Sequence, residues 1–131
     1  MSKFIDEFNA RVNDCSLIKS NYDDDGIVML KVTGSISTYN SSALNTAIIG
    51  HLADSKKKIL ILDLQNVNYI SSTGVGVLTY LYKHCINDEV NLLLYKTNYQ
   101  VKKIVDLLGF APFFTFIDNI ENAEAVDALE G

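Results

Sequence analysis

The chain has 131 residues, of which 48% are hydrophobic and 21% charged, and its formal net charge is -5 at pH 7. These values predict one domain with an ordinary apolar core, and they argue against direct nucleic-acid binding, which needs a cationic surface. No apolar run reaches the roughly 18 residues that span a bilayer, and the N-terminus lacks a signal-peptide layout. We therefore expect a cytoplasmic protein with no membrane partner.

The cysteines and histidines form no recognisable reactive or metal-binding pattern. Cys15 and Cys85 are far apart and belong to no CxxC motif, and neither histidine lies at metal-ligand spacing from them. His84 and Cys85 are neighbours near the end of a predicted helix, so their side chains should point in different directions. We expect no metal, no cofactor and no Cys/His catalytic pair.

Residues 3–12 are predicted to form a short amphipathic helix. The apolar stripe on which this prediction rests consists of Phe4, Ile5, Phe8 and Val12. The stripe could pack on the rest of the chain, or it could serve a partner or a second copy of the chain. A homodimer is therefore an open alternative.

Residues 15–22 and 26–34 are predicted to be two strands joined by a tight turn. The segment Asp23–Gly26 ends in Asp-Gly, which supplies the positive φ that a hairpin turn needs. Its three aspartates lack the twelve-residue ligand pattern of a calcium loop, so we interpret them as turn residues.

A hydroxyl-rich loop, Gly34–Ser42, is predicted to lead into the next helix. Asn40, Ser41 or Ser42 could cap this helix, which would end near Asp54–Ser55. Its predicted apolar face consists of Ala43, Leu44, Ala47, Ile48 and Leu52.

The segment from Ile59 to Leu64 is continuously apolar except for Asp63, which predicts a fully buried strand. A short connection then leads to the hydroxyl cluster Ser71–Thr73, where a helix should begin. Two glycines, Gly74 and Gly76, lie in its first turns, although each costs about 1 kcal/mol relative to alanine. Either the helix approaches the sheet closely there, or its backbone N–H groups stay open beside the hydroxyls.

The last third of the chain continues the alternation of strands and helices. We predict a strand over Val90–Tyr95, a helix from Asn98 to Gly109, a strand over Phe113–Ile117 after Pro112, and a final helix from Asp118 or Asn119 with Ala123, Val126 and Leu129 facing inward. The predicted fold class is mixed α/β. It has a mostly parallel sheet with one antiparallel edge hairpin, covered by about four helices plus the short N-terminal helix.

These motifs resemble the STAS domain, named for sulphate transporters and anti-sigma factor antagonists, and in particular its stand-alone bacterial antagonists. The resemblance rests on Asp63–Leu78, supported by Gly34-Ser35-Ile36 and by Leu107-Leu108-Gly109-Phe110 before an apolar strand. It covers residues from about 15 to 130, which divides the chain into an N-terminal segment, 1–14, and a STAS domain, 15–131.

The resemblance implies a phosphorylation switch without catalytic residues in this chain. In such antagonists an anti-sigma factor that is also a serine kinase phosphorylates the first serine of an Asp-Ser-Ser/Thr-Gly pattern, and a PP2C-type phosphatase removes the phosphate. The corresponding acceptor is Ser72, with Ser71 and Thr73 as lesser candidates. Ser71 replaces the usual Asp, and Ser37 replaces a second acidic residue.

The resemblance also implies a surface that binds the partner. Its residues are Ser35, Ser37, Thr38, Tyr39, Ser71, Thr73, Gly74 and Val75. Three alternatives stay open: the hydroxyls only cap the helix, the domain is an unphosphorylated scaffold in a larger complex, or Ser72 is the nucleophile of a small hydrolase. The last alternative lacks a nearby base.

Overall fold

The computed structural model describes residues 2–20 and 26–120. These residues form five strands, four α-helices and one short 3₁₀ helix. In chain order the elements are α1 (Lys3–Arg11), β1 (Cys15–Lys19), β2 (Ile27–Ile36), α2 (Ser41–Ser55), β3 (Ile59–Ile70), α3 (Ser72–Asn87), β4 (Asn91–Tyr95), α4 (Tyr99–Leu107), the 3₁₀ helix (Ala111–Phe113) and β5 (Thr115–Ile117).

The strands form one sheet in the order β1-β2-β3-β4-β5. β1 runs antiparallel to β2, and every other neighbouring pair is parallel. The predicted mixed α/β fold with one antiparallel edge hairpin is therefore confirmed. In such a sheet the carboxyl ends of β2 and β3 lie at the same edge, and the helices that follow them begin there.

The two faces of the sheet belong to separate apolar clusters. Every apolar residue that α1, α2, α3 and α4 bury belongs to the larger cluster, together with alternate residues of the strands such as Leu30, Leu62 and Leu94. The smaller cluster, on the opposite face, consists of Ile27, Met29, Ile59, Ile61, Leu93 and Ile117, with Tyr95 and Ile120 packed against it. Most of the predicted final helix and most of the Asp23–Gly26 turn lie outside the described residues.

The central strand is longer than predicted. β3 does not end at Leu64 but continues to Ile70, and β2 continues to Ile36, so the predicted connection before the hydroxyl cluster is strand. The register shifts between Lys31 and Thr33 and between Gly34 and Ser35 let β3 insert extra residues. These bulges break the regular alternation that a sequence pattern reveals, because each one moves the following side chains to the other face.

Two other boundaries also differ from prediction. The segment before β5 forms a 3₁₀ helix with Pro112 in its first turn, so β5 begins at Thr115 rather than at Phe113. The fixed φ of proline and its missing N–H suit the start of a helical turn and disfavour a ladder position. β1 ends at Lys19, so Ser20 is not part of the strand as predicted, and residues 21 and 22 lie outside the described residues.

The N-terminal helix packs on the domain. Its residues Ile5 and Phe8 are buried in the larger cluster. The Phe4 ring lies against Gly50 of α2, where an added Cβ would come within 2.5 Å of the ring. Of the alternatives open from sequence, packing is the one that the structure shows. No helix in residues 2–20 or 26–120 is long and apolar enough to cross a bilayer.

The two glycines of α3 have different surroundings. A Cβ at Gly74 would come within 2.9 Å of side-chain carbons of both Ile36 and Ile70 and 3.1 Å from the Ile36 carbonyl oxygen. A Cβ at Gly76 would meet no atom within 4 Å. Close approach of α3 to the ends of β2 and β3 therefore requires Gly74, whereas packing does not require Gly76.

We expect Gly74→Ala to destabilise the protein by about 1–3 kcal/mol, because the two isoleucines must move. Gly76→Ala should stabilise it by up to about 1 kcal/mol, because alanine loses less backbone entropy in a helix. Urea unfolding of both variants measures the difference. Equal midpoints would contradict the close-approach role of Gly74.

His51 makes the stability of the fold depend on pH. Burial in α2 and then the charge of Lys19 lower the pKa of this histidine, and Asp54 opposes the shift. The unfolded chain, where histidine has a pKa of about 6.5, therefore binds more protons than the folded chain at mildly acid pH. The stabilising contribution is fully present above about pH 6.5 and is lost as the pH falls.

We expect the free energy of unfolding to decrease between about pH 7.5 and pH 5.5, and to decrease less in His51→Gln. Urea unfolding at both pH values measures this difference, and the carboxylates common to both proteins cancel in the comparison. An identical decrease in the variant would show that His51 is not responsible.

Candidate functional site

The junction between β3 and α3 is held by Ser71. Its backbone is extended, its N–H donates to the Ile36 carbonyl of β2 (2.9 Å), and its Oγ accepts from the Gly74 N–H (2.9 Å). The Ser71 carbonyl also accepts the first helical hydrogen bond, from Val75 (3.0 Å). Ser71 is only 8% exposed, and its hydroxyl is used by the helix cap.

The next two hydroxyls lie on the outside of the same turn. Ser72 and Thr73 are both exposed. Neither side chain hydrogen-bonds to another residue of the described chain, in contrast to Ser71. The three hydroxyls that the sequence groups together therefore divide into one structural cap and two accessible groups.

A hydrogen-bonded loop between β2 and α2 lies beside this turn. The Ser37 Oγ accepts from the N–H groups of Tyr39 and Asn40 (both 3.2 Å), and the Ser37 N–H donates to Asn40 Oδ1 (2.9 Å). Asn40 Nδ2 donates in turn to Asp14 Oδ1 and to the Ser35 carbonyl, both at 2.9 Å. This network fixes the loop, while Tyr39 at its tip is 97% exposed.

The residues predicted to bind a partner differ in exposure. Thr38, Tyr39 and Thr73 are exposed, and Ser35 and Ser37 are half-buried. Ser71, Gly74 and Val75 are buried, the last completely. The exposed and half-buried residues lie together at the carboxyl ends of β2 and β3, because the Ser71–Ile36 hydrogen bond holds α3 against the end of β2.

The site contains two residues whose roles were not predicted from sequence. Asn40 was considered only as a helix cap, but α2 has no side-chain cap bond and the Asn40 amide instead ties the loop to Asp14. Asn68, in the bulged part of β3, accepts a hydrogen bond from the Ser35 hydroxyl (3.0 Å). The Asn40–Asp14 and Asn68–Ser35 contacts each join residues far apart in sequence, so no local pattern reveals them. Only the hydrogen bonds between Ser37 and Asn40, three residues apart, could have been expected from the local sequence.

The first turn of α3 has no acidic side chain of its own that would repel an added negative charge, whereas Asp14 lies beside the N-terminus of α2. Neither α2 nor α3 has an acidic residue in its first turn, so the partial positive charges at both N-termini are not neutralised by their own helices. Ser37 and Ser71, at positions where the resemblance implies acidic residues, bring no charge to this end of the sheet. A phosphate on Ser72 would lie at the first position of α3, where helix N-termini stabilise anions.

The surroundings of Ser72 do not resemble a catalytic centre. His84 follows Ser72 on the same helix by about 18 Å along the axis, at 1.5 Å per residue. Burial raises the pKa of Cys85 to about 12 and that of Cys15 to about 11, so both thiols stay protonated at neutral pH. Within the two described ranges no group of three or more His, Cys, Asp or Glu side chains could hold a metal ion.

We expect Ser71→Ala to lower the free energy of unfolding by about 1 kcal/mol, because it removes the cap and leaves the Gly74 N–H without its partner. Ser72→Ala, the matched control one residue later, should change it by less than about 0.5 kcal/mol. Chemical denaturation tests the pair. If Ser72→Ala lowered the free energy of unfolding more than Ser71→Ala does, Ser72 rather than Ser71 would be the capping residue.

Comparisons with known proteins agree with this fold. The family profile of the STAS domain matches residues 20–123. BtrV of Bordetella bronchiseptica, a protein named as an anti-sigma factor antagonist, is 24% identical over 101 residues, covering 77% of this chain and 86% of the relative.

Two solved structures illustrate the similarity in three dimensions. An anti-sigma factor antagonist from Mycobacterium paratuberculosis superposes with a TM-score of 0.68 at 22% identity, covering 85% of this chain and 93% of its own. The anti-sigma factor antagonist SpoIIAA of Bacillus, in its unphosphorylated form, superposes with a TM-score of 0.67 at 16% identity, covering 88% of this chain and 97% of its own. Because the family profile spans most of the sequence, this chain belongs to the STAS domain family.

Proposed function

We propose that this protein is an anti-sigma factor antagonist whose binding is switched by phosphorylation of Ser72. In this proposal the unmodified protein binds an anti-sigma factor that is also a serine kinase, and thereby controls sigma-factor-dependent transcription in the cytoplasm. Phosphorylation by that kinase turns the antagonist off, and a PP2C-type phosphatase restores it. The STAS domain occupies residues 15–131, and the segment 1–14 is an addition that packs on it through α1.

The observation that carries the proposal is the different use of Ser71 and Ser72. Ser71 is buried and caps α3, so it cannot be modified without loss of the cap. Ser72 is exposed at the first helical position, and its hydroxyl makes no hydrogen bond to another described residue. A kinase can therefore reach Ser72, with Thr73 as the neighbouring alternative, while the fold stays intact.

The expected effect of the phosphate is local. A phosphoserine adds about -1.5 to -2 charges and three acceptor oxygens. The uncompensated N-terminus of α3 tolerates this charge, so the change falls on the surface that includes Thr38, Tyr39 and Thr73. A partner that contacts this surface with acidic or apolar groups would be repelled, without any large conformational change in the antagonist.

The bare surface at Gly76 supports a docking role for the same turn. Gly76 lies four residues after Ser72, on the same side of α3, and is exposed. Packing within the domain does not require a glycine there. With glycine at position 76, a partner can approach the helix backbone beside Ser72 more closely than a larger side chain would permit. This close approach accounts for Gly76 at a helix position where glycine is otherwise unfavourable.

The phosphorylation site is tested with an anti-sigma-type serine kinase from the same genome and ATP, followed by localisation of the phosphate by mass spectrometry. We expect one phosphate, on Ser72, in the unmodified sequence and in Thr73→Ala, and none in Ser72→Ala. Ser71→Ala should still be phosphorylated on Ser72. Equal phosphorylation of Ser72→Ala would disprove the site assignment.

A second candidate function is an unphosphorylated STAS scaffold in a larger signalling or transport complex. Ser71 and Ser37 favour it, because both replace acidic residues on which kinase recognition in the resembled family is expected to depend. This candidate predicts no phosphate on any residue after treatment with the kinase. It also predicts that Ser72→Asp co-purifies with the same partners as the unmodified protein, whereas the switch predicts their loss.

A further inference from the structure

A groove of about 390 Å³ lies between the end of β3 and the helix α4. β3 pairs with β4 only as far as Asp63, and its later residues extend beyond that strand and contact α4 instead. The Asn98 side chain caps α4 and also donates to the Val67 carbonyl, which fixes the start of α4 against β3. The groove therefore exists because β3 is longer than its neighbour.

The helix α4 has two apolar stripes, and only one of them packs in the core. Val101 and Val105 are buried against the sheet. Ile104 and Leu107, three residues apart on another side of the helix, both line the groove. Leu107 is 71% exposed, and within residues 2–20 and 26–120 it belongs to neither apolar cluster. The second stripe is therefore available to a binding partner.

The opposite wall of the groove comes from β3. Ile70 is buried and forms an apolar base, whereas Tyr69 beside it is 54% exposed. An exposed tyrosine next to an apolar base is the kind of residue that contributes much of the binding energy at protein interfaces. An apolar side chain of a partner would be removed from water between Tyr69 and Leu107.

Lys103 gives the groove a positive charge. Of the described residues that line the groove, it is the one that carries a charge. The N-terminus of α3 begins two residues after Ile70, and its first turn has no acidic residue. Both features attract a carboxylate, although the chain as a whole has a net charge of -5. The groove therefore fits an apolar segment that carries an acidic side chain.

The groove is continuous with the surface proposed to bind the partner. Asn68 lines the groove, and its side chain accepts the hydrogen bond from the Ser35 hydroxyl, which belongs to that surface. At the other end of β3, only Ser71 separates the groove residue Ile70 from Ser72. A single partner can therefore contact the groove and the Ser72 turn together.

We propose that this groove binds an amphipathic segment of the anti-sigma factor, with an apolar side chain between Tyr69 and Leu107 and a carboxylate on Lys103. This inference rests on the proposed function and extends the partner surface to α4. It also gives the switch a physical target, because a phosphate on Ser72 would repel the carboxylate that the groove holds.

The apolar part is tested by titration calorimetry with the anti-sigma-type serine kinase from the same genome. A non-hydrolysable ATP analogue keeps Ser72 unmodified. We expect Leu107→Ala to weaken binding about tenfold. Leu108→Ala, the matched control, is partly exposed but does not line the groove, and it should change the Kd by less than about twofold. Because Leu107 is exposed, its truncation should leave the urea unfolding midpoint unchanged.

The charged part is tested in the same titration with Lys103→Glu, which should weaken binding at least about tenfold. Lys102→Glu is the matched control, because the Lys102 ammonium lies on another side of α4, 4.7 Å from the centre of the Phe116 ring. It should change the Kd by less than about twofold.

The outcomes separate this inference from the proposed function. Binding that Leu107→Ala and Lys103→Glu both leave unchanged would overturn the groove as a docking site and keep the antagonist. Weakening by Leu107→Ala alone would overturn the acidic occupant. If the unmodified chain did not bind the kinase at all, the proposed function would be wrong and this inference with it.

Discussion

The hydrogen bond from the Ser71 N–H to the Ile36 carbonyl joins the three elements on which the site depends. It connects the end of β3 to the end of β2 and fixes the residue that caps α3. Gly74 makes this geometry possible, because any side chain at that position would contact both Ile36 and Ile70. The Ser71 cap, the close approach of α3 to the sheet and the ends of β2 and β3 therefore depend on one another, and together they leave Ser72 exposed.

The same arrangement would let the proposed phosphate be added without loss of the helix cap. The hydroxyl that caps α3 and the hydroxyl proposed to accept the phosphate are on neighbouring residues, and only the second is exposed. The loop that Asn40 hydrogen-bonds presents Tyr39 beside this turn, so we expect a partner to bind without first ordering the loop. A charge at Ser72 would then act directly on a surface that is already formed.

The sequence was sufficient for the order of the α-helices and strands in the described residues, because continuous apolar runs such as Ile59–Leu64 and the helical periodicity after Asn98 are local signals. It could not give the end of β3, since the bulges near Asn68 hide the strand pattern. For the same reason it could not decide which hydroxyl caps α3: Ser71 and Ser72 are equally good caps until the strand end is known. The role of Asn40 depends on Asp14, 26 residues away, and no local pattern reveals that contact.

The central claim is that Ser72 can carry a phosphate while Ser71 keeps the fold. The most direct measurement is a ¹H–¹⁵N correlation spectrum of the protein phosphorylated in vitro, compared with that of the unmodified protein. We predict shift changes confined to residues 37–40 and 71–77, with the Gly74 amide still protected by its bond to Ser71. Changes spread through core strands, for example at Leu62 and Leu94, or loss of protection at Gly74, would contradict the account.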